Sequence, residues 1–390
     1  MYTSAKISSI SVLIPDGETW ETVKVLRCLS HVPGITVHVL AKAGFPLTRF
    51  SRYCSSYHCH KSVNDDDWIR VIRSIVRSLR IDVVLPVTEK GVELVARNRK
   101  AISEFVAIPP IADSDLISMA QDKWSFQCFA IENGFPVPAS VLIGKAGETS
   151  VASLDIDSVE YPALLKPTLL DGGSGIVKVK EPSDLAYAWN NGHIIKGCQY
   201  MLQSYLPGVV FCLGLYSQGG QIISYTLWKT LLTSSKRLYF SARAMEYVNN
   251  EEVIELTIRL ISAMKWDGIA NIDFLVDSNN GSVKILDFNP RFGQSLLGSL
   301  VAGVNFPLLA CLGAMGREYP NMQQQETIRY AHPATQSKVM ISRFMGRRPP
   351  VNVCWKNGSL QFAVRDPLPE LVDTFHKILK QFQSRNHVKH

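Results

Sequence analysis

Residues 270–292 read ANIDFLVDSNNGSVKILDFNPRF. Two apolar, alternating runs, Ala270–Val276 and Ser282–Phe288, flank the turn-forming cluster Asp277-Ser278-Asn279-Asn280-Gly281. That is the pattern of an antiparallel β-hairpin. The turn falls midway between Asp273 and Asp287, so the hairpin sets the two acids on adjacent strands, roughly opposite each other. Side chains alternate along a strand, so Asn289 shares a face with Asp287, and Arg291 falls two residues further along that side. Two facing carboxylates repel unless a cation lies between them. Two carboxylates and an amide oxygen are hard ligands, the kind Mg²⁺ takes when it also holds nucleotide phosphates. A solvated strand face is the plainer alternative.

Upstream lies a second constellation, YPALLKPTLLDGGSGIVKV, residues 161–179. A strand delivers Lys166, a loop with Gly172, Gly173, Ser174 and Gly175 follows, and a second strand returns. Glycines let backbone N–H groups approach an anion, and the lysine adds a full charge. The order is wrong for a Walker A loop, because the lysine precedes the glycines and no helix opens after them. An ordinary hairpin with a glycine turn competes with this reading.

Further toward the N-terminus, strand-like runs Ile10–Ile14, Ile35–Leu40 and Val83–Val87 alternate with helical patterns over 19–29, 66–79 and 88–96. Strands alternating with helices imply a parallel sheet covered by helices, here over residues 1–115. The segment has no G-x-G-x-x-G fingerprint. Lys123 opens a helix that stops at Asn133-Gly134, and 141–205 reads as short strands and turns. Val253, Leu256, Leu260 and Ile261 give 251–264 an amphipathic helical stripe.

The composition narrows the class. In 390 residues, 46% are hydrophobic and 19% charged, a globular balance. Eight cysteines are too sparse for a disulfide scaffold, and the start has no basic-then-apolar signal pattern, so a reducing cytoplasm is expected. The cluster Cys54, His58, Cys59, His60 matches no common zinc spacing and reads as a loop. The apolar stretch 296–316 is interrupted by Asn305 and Pro307, which favours two short buried helices over a membrane span. The net charge of +7 resides in residues 326–390, with eleven Lys/Arg against four Asp/Glu. There the charges are interleaved with Phe344, Trp355, Phe362 and Phe375. This pattern fits a folded appendage and disfavours nucleic acid as a partner. A strand is expected at 337–344, a turn at Asn357-Gly358, and an amphipathic helix from Asp366-Pro367 to about Phe382.

Taken in order, the constellations resemble the ATP-grasp superfamily, which includes D-alanine–D-alanine ligase, biotin carboxylase and the large subunit of carbamoyl-phosphate synthetase. The resemblance spans roughly residues 1–315, and DFNPRFGQS is its most specific element. It implies an α/β and α+β chain in four parts. These are an N-terminal parallel-sheet α/β (pre-ATP-grasp) domain at 1–115, a small lobe with the glycine-rich loop at 116–203, a large lobe at 204–325, and a small C-terminal appendage at 326–390. It implies ATP and Mg²⁺ (or Mn²⁺) as cofactors. Lys123 and Lys166 resemble the family's nucleotide lysines, and Gly172, Gly173, Ser174 and Gly175 the mobile phosphate loop. Gln203, Ser204, Tyr205 and Leu206 resemble the adenine-binding hinge. Asp273, Asp287 and Asn289 resemble the metal ligands, and Arg291 the arginine that stabilises the acyl-phosphate. Ser204 and Val210 stand where the family usually has Glu, and Asp287 where Glu is commoner.

The resemblance implies an enzyme that activates a small carboxylate, an amino acid or another small acid, as an acyl-phosphate and joins it to an amine. Lys229 and Arg243 are candidate phosphate or carboxylate contacts, with simple surface charge as the alternative. Glu89, at the carboxyl end of a parallel strand, is a candidate for orienting the amine, against a plain helix N-terminal acid. Membrane insertion is not expected, and a homodimer is compatible with the scaffold. The other functions weighed are an ATP-grasp kinase, a carbamoyl-phosphate-like synthesis, and a nucleotide-binding module without catalysis.

Overall fold

The computed structural model describes residues 9–42, 46–148, 159–170, 173–191, 194–233 and 242–387. Gly172, one of the expected phosphate-loop residues, lies outside them.

The first sheet is parallel. Its strands are β1 (Ile10–Ile14), β2 (Ile35–Ala41), β3 (Ser56–Cys59) and β4 (Val83–Val84), in the order β3-β2-β1-β4. Helix α1 (Trp20–Leu29) connects β1 to β2, and α2 (Asp65–Leu79) connects β3 to β4. Asn64 caps α2 by accepting from the Asp67 N–H. Helices α3 (Glu89–Arg97), α4 (Arg99–Ser103), α5 (Ser114–Gln121) and α6 (Lys123–Glu132) follow. The carboxyl ends of β1 and β4 open toward the rest of the chain, the usual place for a ligand in such sheets.

The small lobe is an antiparallel sheet ordered β5-β8-β6-β7, built from Ser140–Lys145, Gln199–Ser204, Ala163–Pro167 and Val177–Val179 respectively. Helix α7 (Pro182–Asn190) packs on it; the turn-rich sequence around it had suggested only strands. The large lobe is a six-stranded sheet ordered β13-β12-β9-β10-β11-β14. Its strands are β9 (Gly208–Gln218), β10 (Gln221–Thr233), β11 (Ala242–Tyr247), β12 (Gly268–Asp277), β13 (Val283–Asn289) and β14 (Arg329–Ala331). Helix α8 (Glu251–Met264) buries Leu256, Leu260 and Ile261 against the face carrying Leu213, Ile272 and Phe274. The opposite face, with Cys212, Trp228, Met245 and Tyr247, packs toward α1, α9 (Leu296–Val301) and α10 (Phe306–Ala314). These two short helices are the apolar stretch, and among the described residues no helix is long and apolar enough to cross a membrane.

The last segment departs from the sequence expectation. Residues 333–344 are helix α11 (Pro333–Phe344), not a strand. Proline at the first helical turn favours a helix start, and only Val339 of the apolar run is buried. The run's β-like composition therefore reflects an exposed helix face rather than a sheet. The large-lobe sheet also reaches past residue 325, because β14 pairs with β11. A 3₁₀ turn at Trp355–Asn357, α12 (Leu360–Arg365) and α13 (Leu368–His387) complete the chain. This segment is tied to the first domain. Arg27 of α1, 3% exposed, donates through Nη1 and Nη2 to Glu370 at 2.8 Å and through Nε to Asp366 at 3.2 Å. Asp366 also accepts from the Ser51 hydroxyl and the Arg52 N–H at 2.9 Å.

Candidate nucleotide and metal site

The hairpin β12–β13 has the register the sequence implied. Asp273 lies opposite Asp287, and Asn271 opposite Asn289. A bulge between Asp273 and Phe274 accommodates the odd residue count. β9 runs along the other edge of β12 and places Cys212 opposite Asp273, with the Cys212 thiol hydrogen-bonded to the Asn271 side chain. Burial, with the Asp287 charge beside it, pushes Asp273 up to about 7. A divalent cation between the carboxylates would reverse that penalty, so the donor set fits Mg²⁺. Asn289 adds a neutral oxygen; its amide nitrogen donates to the Asn271 carbonyl at 3.3 Å.

The cations come from the facing lobe. Lys123, at the start of α6, donates to the Leu170 carbonyl at 2.7 Å and sits 3.7 Å from Asp287 Oδ2. The Asp122 side chain caps that helix through the Ser125 N–H, which fixes where Lys123 emerges. Lys166 on β6 is 1% exposed and donates to Gln203 Oε1 at 3.0 Å. Burial, reinforced by Lys123, pulls it down to about 8, against the opposing pull of Asp287 and Asp273. Two lysines and two aspartates thus meet between two sheets, an arrangement suited to a polyphosphate with its metal.

Beside them, Leu164, Leu206, Leu275, Leu286 and Pro138 line an apolar slot with Gln203 and Ser204 at its edge. A flat heterocycle suits such a slot. The Ser204 hydroxyl accepts from the Glu160 N–H at 3.1 Å and so ties β8 to the start of the β6 segment. Tyr205 carries the Lys178 ammonium 3.4 Å above its ring. Gly173 and Gly175 adopt positive φ of 74° and 73°, which allow the loop after β6 to turn back.

Arg291 extends from the same edge and joins the first domain. Its Nε donates to Glu89 Oε1 at 2.7 Å. Glu89 is positioned in turn by Asp16, at the end of β1, which the sequence reading did not single out. Asp16 accepts from the Val87 N–H at 3.1 Å, the Thr88 N–H at 2.6 Å and the Thr88 hydroxyl at 2.7 Å. A Cβ on Gly91 would fall 2.0 Å from Asp16 Oδ2, so only glycine lets α3 approach. Pro15-Asp16-Gly17 at a parallel strand's carboxyl end was the available signal.

Lys229 and Arg243 part company. On β10, Trp228 shares the face of Cys212 and Asp273, so Lys229 points to the other face. There it pairs with Glu246 at 3.3 Å, and Arg329 pairs with the same acid at 2.7 Å. Lys229 therefore lies outside the cluster. Arg243 alternates with buried Ala244 and shares the face of Met245 and Trp228, on the side of Asp273. In the Cys–His segment, His58 bonds Ser56, His60 bonds Asp67, and Cys59 is exposed.

Residues 199–336 match a family model described as ATP-grasp in the biosynthetic pathway with Ter operon. The carbamoyl phosphate synthase large chain of Thermomicrobium roseum is 24% identical over 53% of this chain. The chain spans about a fifth of that relative's length (19%). The biotin carboxylase domain of Hydrogenobacter thermophilus 2-oxoglutarate carboxylase, solved as a dimer with MgADP and bicarbonate, superposes with a TM-score of 0.62 at 16% identity, covering 82% of this chain and 73% of that one. The L-amino acid ligase of Bacillus licheniformis superposes with a TM-score of 0.56 at 13% identity, covering 79% and 74%.

Proposed function

We propose that this chain, whose fold is the ATP-grasp fold, is an ATP-dependent ligase that phosphorylates a small carboxylate and passes the acyl group to an amine. The observation that carries the reading is the opposition of Asp273 and Asp287 across the hairpin, with Lys123 3.7 Å from Asp287. That arrangement suits a metal-bound polyphosphate.

In this reading Asp273, Asp287 and Asn289 hold Mg²⁺, which supplies charge neutralisation at the transferring phosphoryl group. Lys123 and Lys166 bind phosphate oxygens, with Gly173, Ser174 and Gly175 donating backbone N–H groups from above. The slot at Leu164, Leu206, Leu275 and Leu286 takes the adenine, and Gln203 keeps Lys166 aimed at the phosphates. Arg291 stabilises negative charge on the carboxylate and on the acyl-phosphate it becomes. Glu89 holds Arg291 in place and accepts a hydrogen bond from the incoming amine. Positioning and electrostatics suffice, with no nucleophile from the protein.

The test is phosphate release from ATP and Mg²⁺ with pools of small acids and amines. Release that requires both an acid and an amine is expected. A stable phosphorylated acid without phosphate release would replace the ligase with a kinase. Nucleotide binding with no turnover on any acid would leave a binding module.

A further inference from the structure

Beyond Arg291 the same face carries positive groups that the nucleotide and the reacting carboxylate do not use. Lys24, on α1, is 16% exposed at its side chain and donates to the Gln294 carbonyl at 3.1 Å, three residues past Arg291. Its closest carboxylate, Glu21, stands at 3.8 Å, beyond hydrogen-bond length. Arg243, on β11, is solvent-exposed, and among the described residues its guanidinium makes no hydrogen bond or ion pair. His332, at the start of α11, donates its backbone N–H to the Arg243 carbonyl at 3.1 Å. Thr230 lies opposite Met245, on the sheet face that Arg243 shares, and among the described residues its buried hydroxyl has no hydrogen-bond partner.

These groups come from four elements: α1, β10, β11 and the start of α11. They also sense one another. Burial, offset by Glu21 and reinforced by Arg291, lowers Lys24 below the usual lysine range. Burial, with Lys24 and Arg243 nearby, pulls His332 down to about 4 and keeps it neutral. Glu21 and Glu89 are engaged by Lys24 and Arg291. A half-buried ammonium whose carboxylate stands at 3.8 Å, as in Lys24, and a buried hydroxyl such as that of Thr230 are costly unless a ligand completes them.

We infer that Lys24, Arg243, Thr230 and His332 form a subsite for a second acidic group on the acid substrate, which makes that substrate a dianion: a dicarboxylate or a phosphorylated acid. The inference rests on the ligase reading for the placement of the reacting carboxylate at Arg291. Arg243 supplies a planar fork and Lys24 a point charge, a combination that accepts either carboxylate or phosphate. Thr230 and neutral His332 add hydrogen bonds that a charge-only surface would lack.

The test is direct titration, at fixed ionic strength, of the protein loaded with Mg²⁺ and a non-hydrolysable ATP analogue. The probes are matched pairs: L-glutamate against L-norvaline, and O-phospho-L-serine against L-serine. Binding at least ten-fold tighter for the member of one pair that carries the second acidic group is expected, and which pair shows it distinguishes carboxylate from phosphate. Lys24→Met and Arg243→Met are expected to bring the ratio to within about two-fold, with ATP-analogue affinity unchanged as the control for folding. Equal affinity within both pairs, or a preference that survives both substitutions, overturns the subsite. Phosphate release on the same acids is scored separately. A dianion preference without turnover would refute the ligase and keep the subsite, whereas turnover on the mono-acids with no preference would do the reverse.

Discussion

Arg291 Nε and Glu89 Oε1 lie 2.7 Å apart although 202 residues separate them in the chain. The bond joins the first domain to the edge of the large-lobe sheet. It ties the arginine proposed to meet the acyl-phosphate to Asp16, through the Val87–Glu89 segment.

Removing the carboxylate should therefore loosen the arginine without touching the nucleotide. Glu89→Gln is expected to lower kcat for phosphate release by about ten-fold or more, equivalent to about 1.4 kcal/mol in the barrier. ATP affinity should stay within about two-fold. Unchanged kcat would show that Arg291 keeps its place without Glu89.

Asp287→Asn should weaken metal binding most, since Asp287 faces both Asp273 and Lys123. Turnover is expected to fall by at least about 100-fold, or about 2.7 kcal/mol. The fold should persist, because the change relieves a like-charge pair. Near-full activity in a Mg²⁺ titration would remove Asp287 from the metal site.

Lys166→Met keeps the buried stem and deletes the ammonium. ATP-analogue affinity should drop by about ten-fold or more, while the circular dichroism spectrum stays that of the wild type. An unchanged dissociation constant would reassign Lys166 to a structural role with Gln203.

Stability should depend on pH through Asp273. Its pKa rises from 3.8 to about 7 on folding, by burial first and Asp287 second. Between about pH 4 and 7 the folded chain holds a proton that the unfolded chain has lost, so this group's stabilisation is full below that window and is lost as pH rises through it. In metal-free protein the stability gain from Asp273→Asn should grow from pH 5 to pH 8. Mg²⁺ with an ATP analogue should stabilise the wild type and not the variant. Thermal melts at the two pH values check the sign, and a gain that shrinks with pH refutes it.

The clasp between Arg27 and the last segment gives a stability prediction. Arg27→Ala leaves Asp366, 1% exposed, without its cation. A loss of roughly 3–5 kcal/mol is expected in denaturant melts. The double variant with Asp366→Ala should recover part of that loss, which a purely steric effect would not allow.

The hairpin was legible because alternation and a five-residue turn fix its place and its approximate register; counting from the turn sets Asp273 opposite Leu286, and the bulge at Asp273, which the sequence does not announce, moves it opposite Asp287. Lys166 was legible for the same reason, as the last charged residue of a strand before a glycine loop. Choosing Arg243 over Lys229 was not possible, because it requires the cross-strand register of β9, β10 and β11, and bulges interrupt β10 on both sides. Helix α11 was misread because its apolar residues, Met340, Ile341 and Phe344, stay exposed. Periodicity records a face, and here that face is not turned to the core. Asp16, Lys24 and His332 lie far from the motif in sequence, and tertiary packing alone brings them to it.

The Arg27–Asp366 bond spans 339 positions, so it also has a history in time. A chain leaves the ribosome from its first residue, at roughly 5–20 residues per second. The parallel sheet and α1 therefore emerge on the order of tens of seconds before the acids that neutralise Arg27. Through that interval the first domain carries a cation on the surface it will later bury. It can finish only after Asp366 has been translated, so a transcript truncated ahead of Asp366 would yield a first domain with its clasp left open.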